Sequence, residues 1–403
     1  MVEPAIGVET HPSPSRERRV ICFVKYVRFS NTNLFVEEQL RRVFPEFDVD
    51  VIDLRDFFTR PSLDLAVALG RNCLKILRGL FPGAKPELPL RDYVLHSLLR
   101  DPFVFRAMGR RARSILARES RPIAFTFQTQ GLWDSSLPGI ANFVYTDAVA
   151  LTNLSYHGVD RHGLAPPAWI AEERRLIASA EKIFVMSDHV ARSLTEHYGV
   201  PTTRVRTVLV GANVERPDPA IAPAGPDNKT IVFVGVDWVR KGGPELVEAF
   251  QQLPERHRDA RLVIVGVSPA IDVPGCTVVG RVPPSQVPIY YRQAAIFCMP
   301  TKIEHFGIVF IEAMLHKLAV AAPRQGAAPD FITDRQTGCL FEPENMTDLV
   351  ATLTWLLDHP VRRREIAEAG FAAVSDRYTW DAVGAALHRE IIACPSVAAQ
   401  LRV

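Results

Sequence analysis

Two glutamates eight positions apart, Glu304 and Glu312, bracket the segment Glu304-His305-Phe306-Gly307-Ile308, which begins where a strand should end and runs into a helix. Ile308, Val309, Phe310, Ile311, Ala313, Met314 and Leu315 make that helix apolar on every side, so Glu312 has no solvent face to choose. A lone buried carboxylate is costly and needs partners. These are either two neighbouring ribose hydroxyls or, in a purely structural role, an arginine or backbone amides. Gly307 removes a side chain where the helix starts, leaving backbone amides and the positive end of the helix dipole open to a phosphate or a sugar hydroxyl. Glu304 then stands at the mouth beside a sugar, or else is an exposed loop carboxylate.

A second constellation follows another strand: Gly235, then Arg240-Lys241-Gly242-Gly243-Pro244. Pro244 suits a first helical position, and the glycines let the loop bend close to a ligand. Cations at a strand's carboxyl end are what a departing diphosphate needs; the alternative is a solvent-facing pair. Neighbouring side chains in extended backbone point opposite ways, so the spacing predicts that one of Arg240 and Lys241 faces the phosphates.

The elements that must carry these loops are strands alternating with helix-period segments. Val20–Val24, Val49–Ile52, Ile123–Phe127, Phe143–Tyr145, Ile183–Met186 and Val205–Val210 read as one parallel sheet. Thr230–Gly235, Arg261–Gly266, Thr277–Gly280, Ile296–Met299 and Leu318–Ala321 read as a second. The proline-rich stretch 214–228 between them reads as a linker. Two doubly wound domains then face a cleft, the place where open parallel sheets bind ligands.

Composition agrees with a globular two-domain chain: 403 residues, 47% hydrophobic and 23% charged, with a formal net charge of +2 that gives no global field for nucleic acid. Six widely spaced cysteines without a C-x-x-C pair read as reduced core thiols. Residues 1–18 read as a disordered tail without the apolar core of a signal peptide. No apolar run reaches the roughly 18 residues of a spanning helix, so a cytoplasmic protein is expected, with only peripheral contact at the inner membrane face open to it. In residues 71–121 basic side chains outnumber acidic ones about threefold, Arg110-Arg111-Ala112-Arg113 being the densest run. That region is either a solvated helix face or a contact for anionic lipid, with Leu98, Leu99, Phe103 and Phe105 as its apolar residues. Phosphate-loop, dinucleotide, zinc-protease and nucleophile-elbow motifs are absent, and Asp48-Val49-Asp50 lies in an early strand, so no metal role is assigned.

Taken together, Gly235, Lys241, Gly242, Glu304, Phe306, Gly307 and Glu312 resemble the family-four retaining glycosyltransferases of the GT-B fold, with their Gly-x5-Lys-Gly loop and Glu-x7-Glu motif. The likeness runs through Gly280–Tyr291 to Asp330–Gly338 and is looser in the first half, at Val185–Ser187 and Val208–Asn213. It implies an α/β GT-B architecture of two Rossmann-like domains: residues 19–213 with 380–403 on the acceptor side, and 229–379 on the donor side. It also implies a last helix, around Trp380–Ile392, that crosses back onto the first domain. The implied ligand is a nucleotide-diphosphate sugar, with the basic loop on the diphosphate, Glu312 on the ribose, and Glu304 with the His305–Ile308 segment on the sugar. The implied acceptor is a glycan, lipid or small molecule, and no other cofactor is needed. Val236 stands where many relatives have an arginine, leaving Arg240 to supply the second positive charge. Asn31 and Asn33 replace a glycine-rich loop after the first strand, their amides being the candidates to take over its role. Asp147 replaces a histidine near the sugar. The expected reaction is hexosyl transfer with retention. A silent nucleotide-sugar-binding subunit and an epimerase or hydrolase of the same fold are the alternatives.

Overall fold

The computed structural model describes residues 18–27, 31–77, 90–157, 159, 164–215, 217–218 and 224–401. Most of the expected tail, parts of 214–228 and 71–121, and residues 28–30 of the loop after the first strand lie outside them.

Twelve strands form two six-stranded parallel sheets. The first holds β1 (Val20–Lys25), β2 (Asp48–Asp53), β3 (Ile123–Thr129), β4 (Asn142–Thr146), β5 (Lys182–Val185) and β6 (Val205–Thr207), in the order β2-β1-β3-β4-β5-β6. The second holds β7 (Thr230–Val234), β8 (Arg261–Val265), β9 (Cys276–Gly280), β10 (Ile296–Cys298), β11 (Ala319–Pro323) and β12 (Cys339–Phe341), ordered β12-β11-β10-β7-β8-β9. Continuous apolar runs such as Val20–Val24 and Ile231–Val234 are buried, as expected for strands covered on both faces by crossover helices. This is the α/β GT-B architecture of two Rossmann-like, doubly wound domains expected from the sequence.

Each sheet reverses its winding at one place, between β1 and β3 in the first and between β7 and β10 in the second. A crevice opens beyond the carboxyl ends of strands at such a reversal. The loops leaving β7 and β10 are the two that sequence reasoning singled out, so topology alone brings the basic loop beside the Glu304–Gly307 segment.

The chain crosses between the sheets twice at one spot. Outbound, Leu209–Asn213 leaves β6; inbound, Tyr378–Trp380 leads into the helix Trp380–Ile392, which packs on the first-domain helix Thr32–Val43. The Trp380 indole donates to the Ala212 carbonyl at 3.1 Å and stacks on Phe35 at 5.1 Å. A methyl group on Gly211 would fall within 2.4 Å of that indole, so the crossing needs glycine there.

Two expectations change. Leu98 and Phe105 are 4% and 2% exposed and lie inside the helical insert between β2 and β3, so they offer nothing to a lipid. Asn33 is 1% exposed and turned inward, donating to the Tyr26 and Val27 carbonyls and accepting from Thr129, so its amide is spent holding the loop after β1 and does not face a ligand.

Candidate active site

The basic loop leaves β7 as a turn, and both of its cations converge on one carboxylate. Lys241 Nζ contacts Glu304 Oε2, and Arg240 Nη1 lies 3.8 Å from the same oxygen. The expectation that only one would face inward assumed extended backbone; the chain turns from Trp238 through Gly242 instead. Gly242 closes that turn at φ +76°, where a β-carbon would overlap the Pro300 carbonyl. The Lys302 amide donates to the Arg240 carbonyl at 2.8 Å, and Arg240 Nη1 donates to the Ile303 carbonyl at 2.8 Å. The loops after β7 and β10 are therefore one unit. A methyl group on Gly235 would press on the Phe233 ring at 3.1 Å and touch Lys241 Cγ at an ordinary 3.4 Å.

Asp237, which sequence reasoning passed over, receives Arg240 Nε at 2.8 Å. Its position three residues before the arginine in a turn was the available signal. Burial, more than the adjacent Arg240 guanidinium, pulls the Lys241 ammonium down to about 7 against the opposing charge of Asp237.

Gly307 takes φ +82° ahead of the helix Ile308–Leu315; a methyl group there would meet the Phe310 ring at 2.6 Å. The glycine is thus required by the fold as well as by access to the amides. Phe306 is buried against Phe331 and Tyr378, leaving its backbone as the part that can reach a ligand.

Glu312 is 5% exposed and accepts two hydrogen bonds, from the Asn213 amide and the Tyr291 hydroxyl, both 3.3 Å long. Burial raises it to about 7 in spite of them. Of the structural partners left open for this residue, a backbone amide is present and, among the described residues, no arginine pairs with it; long bonds leave lone pairs for hydroxyls.

The first domain closes over this site through the turn Ala150–Ser155, which had no motif to announce it. Tyr156 OH donates to the Glu304 carbonyl at 2.6 Å, and His305 Nε2 pairs with Asn153 Oδ1 at 2.9 Å. Burial, with Arg240, Lys241 and Arg100 adding to it, depresses His305 to about 4, so its ring is neutral at pH 7. Asp147, just past β4, is raised to about 6 by burial, and its charge acts on the Tyr156 hydroxyl. Farther along the seam, Asp330 accepts from the His189 amide at 2.8 Å and pairs with Arg192 at 3.2 Å.

The turn is itself held from behind. Both Glu173 oxygens lie 3.1 Å from the Ala150 amide, Tyr198 OH contacts Glu173, and the Leu151 amide donates to that hydroxyl at 3.2 Å. Burial pushes Glu173 up to about 7. A separate cavity of about 230 Å³, lined by Glu245, Thr301, Lys302, Phe341, Asn345 and Met346 among others, lies at the carboxyl ends of β10–β12. None of Lys241, Glu304 or Glu312 lines it.

Residues 215–372 match the family model described as glycosyl transferases group 1. The D-inositol 3-phosphate glycosyltransferase of Nocardiopsis dassonvillei is 28% identical over 233 residues, 51% of this chain and 54% of that protein. The GDP-mannose-dependent monoacylated alpha-(1-6)-phosphatidylinositol monomannoside mannosyltransferase of Corynebacterium glutamicum is 32% identical over 161 residues, 36% of this chain and 42% of that protein. The chain thus matches about half the length of these curated relatives. Among solved structures, sucrose-phosphate synthase from Thermosynechococcus elongatus superposes with a TM-score of 0.65 at 17% identity, covering 93% of this chain and 100% of that one. Two doubly wound sheets, each with a reversal of winding, give the chain the GT-B fold, and its residues 215–372 match the glycosyl transferases group 1 family model.

Proposed function

We propose that the protein transfers a hexosyl group from a nucleotide-diphosphate sugar to an acceptor hydroxyl with retention of anomeric configuration. The observation that carries this reading is the convergence of Arg240 and Lys241 on Glu304 beside the glycine-opened helix start at Gly307. Cations held in a partly dry site stabilise charge developing on a leaving diphosphate without having to reorganise. Glu312 holds the ribose; Glu304 and the His305–Ile308 backbone hold the sugar. The bond from the anomeric carbon to the diphosphate breaks as the acceptor oxygen bonds on the same face, and the acceptor's proton leaves with the diphosphate. Asp147 lines the acceptor side, and no side chain serves as a covalent nucleophile. The names of the relatives favour a phosphorylated polyol or a lipid-linked glycan as acceptor.

A silent nucleotide-sugar-binding subunit is the second reading. Its support is Val236, which is 67% exposed and supplies no cation where relatives place one, together with the engagement of Arg240 by Asp237. Melting the full chain with a panel of uridine and guanosine diphosphate sugars, then assaying the stabilising donor against inositol phosphate and phosphatidylinositol, separates the two. Stabilisation with labelled product of retained configuration supports transfer. Stabilisation without transfer or slow hydrolysis supports the silent subunit, and no stabilisation by any donor rejects both.

A further inference from the structure

We propose that the helix Leu63–Leu77, in the insert between β2 and β3, docks the protein onto an anionic lipid surface. This helix is inside out. Among its described residues the exposed arc carries Leu63, Ala66, Val67, Leu69, Gly70, Cys73 and Leu74, with Arg71 among them and Asp64 at its edge. Leu63 is 81% exposed, Leu74 47%, Leu69 40% and Val67 39%, which is four of the nine large apolar side chains exposed among the described residues. Facing the core instead are Ala68 and a polar residue, Asn72, which is 3% exposed, accepts from the Ser97 hydroxyl at 2.6 Å and donates to the Val94 carbonyl. A helix of a water-soluble surface shows the opposite pattern, and an exposed apolar stripe of this kind marks a surface that something covers.

Charge decides what covers it. Arg60, Arg71 and Arg110 flank the arc with 71%, 48% and 51% of their side chains exposed, and Arg111 is exposed beyond them. The Arg71 and Arg110 guanidinium groups lie over the Phe103 ring at 5.6 and 5.8 Å, which holds both heads at one level. Asp56 and Asp64, the partners of Arg60 and Arg110, form exposed pairs that exchange readily for a lipid phosphate, while Arg71 lies 3.7 Å from the buried Asp101 carboxylate, which fixes its head at the rim. Apolar side chains at the centre and guanidinium groups at the rim match acyl chains beneath anionic headgroups, the arrangement of a helix lying in a membrane interface. This surface acts whatever reaction the seam between the domains carries out.

Flotation of the full chain with vesicles of phosphatidylcholine containing about a quarter phosphatidylglycerol tests the proposal. Cys73, exposed within the arc, accepts an environment-sensitive nitrobenzoxadiazole label. The expected result is co-flotation at low salt, a blue shift of the label, weakening as salt rises, and a fall of at least about tenfold in Leu63→Ser/Leu74→Ser. That double variant keeps the wild-type circular dichroism because both sites are exposed. Absence of flotation at low salt, or equal binding by the variant, overturns it. So does a lipid-indifferent dimer that the same double change splits into monomers.

Discussion

Lys241 is a partly buried ammonium whose nearest anion is the Glu304 carboxylate, so its charge is available to a ligand that offers Glu304 something else to hold. Lys241→Ala removes that charge without disturbing the Gly242 turn, and turnover should fall about a hundredfold at unchanged melting temperature. Near-normal transfer would show that the leaving group is stabilised elsewhere. Glu312 gives a pH signature of its own. Its folded value of about 7 lies above the ordinary 4.5, so the stability it contributes is fully present below pH 4.5 and is lost as pH rises through 7. Glu312→Gln has no such cost. The stability difference between variant and wild type should therefore shift toward the variant by on the order of 3 kcal/mol between pH 4.5 and 7.5 and then level off. Denaturant melts of the unliganded protein across that range measure it, and a flat difference would mean the carboxyl is better solvated than its burial indicates.

Among the elements, the turn Ala150–Ser155 is held in position by residues outside the seam. Glu173 and Tyr198 receive its first two amides, and the turn carries Asn153 and Tyr156 to the Glu304–His305 segment. Tyr198→Phe takes the acceptor from the Leu151 amide and the partner from Glu173, so amide exchange at Ala150 and Leu151 should quicken at least about tenfold while the strands stay protected. Rescue of slow exchange by no other change in the fold is the control that a global loss of stability would fail. The contrast with the second domain shows what a sequence can and cannot display. The Gly242 and Gly307 turns were legible because each places glycine where only a left-handed residue fits, next to a strand whose apolar run is unmistakable. Both cations facing Glu304 was not legible, since it follows from a turn where extended backbone was assumed. Tyr156 and Glu173 were invisible because their meaning arises from contacts 148 and 23 residues away. The helix Leu63–Leu77 has an ordinary amphipathic sequence, and only its packing reveals that the apolar side faces out.

For the whole molecule, the two sheets are joined by side-chain bridges across the seam and by two stretches of backbone clasped together beside it. Tyr156→Phe deletes one bridge with little change in packing, costing about 1 kcal/mol of closure. Small-angle scattering should then report a larger radius of gyration for the unliganded variant, and a stabilising nucleotide sugar should restore the wild-type value; an unchanged radius would show that the remaining bridges suffice. The clasp behaves differently from the bridges. Ala212 bonds both Tyr378 and Trp380, and the very next amide, that of Asn213, touches Glu312. With both backbone passages tied at one point, the halves can swivel but cannot slide apart, and Glu312 sits at the pivot. A carboxylate at the axle of such a motion keeps its station as the outer contacts part, so in the proposed reaction the nucleoside end of the donor would stay anchored while the reacting end is uncovered.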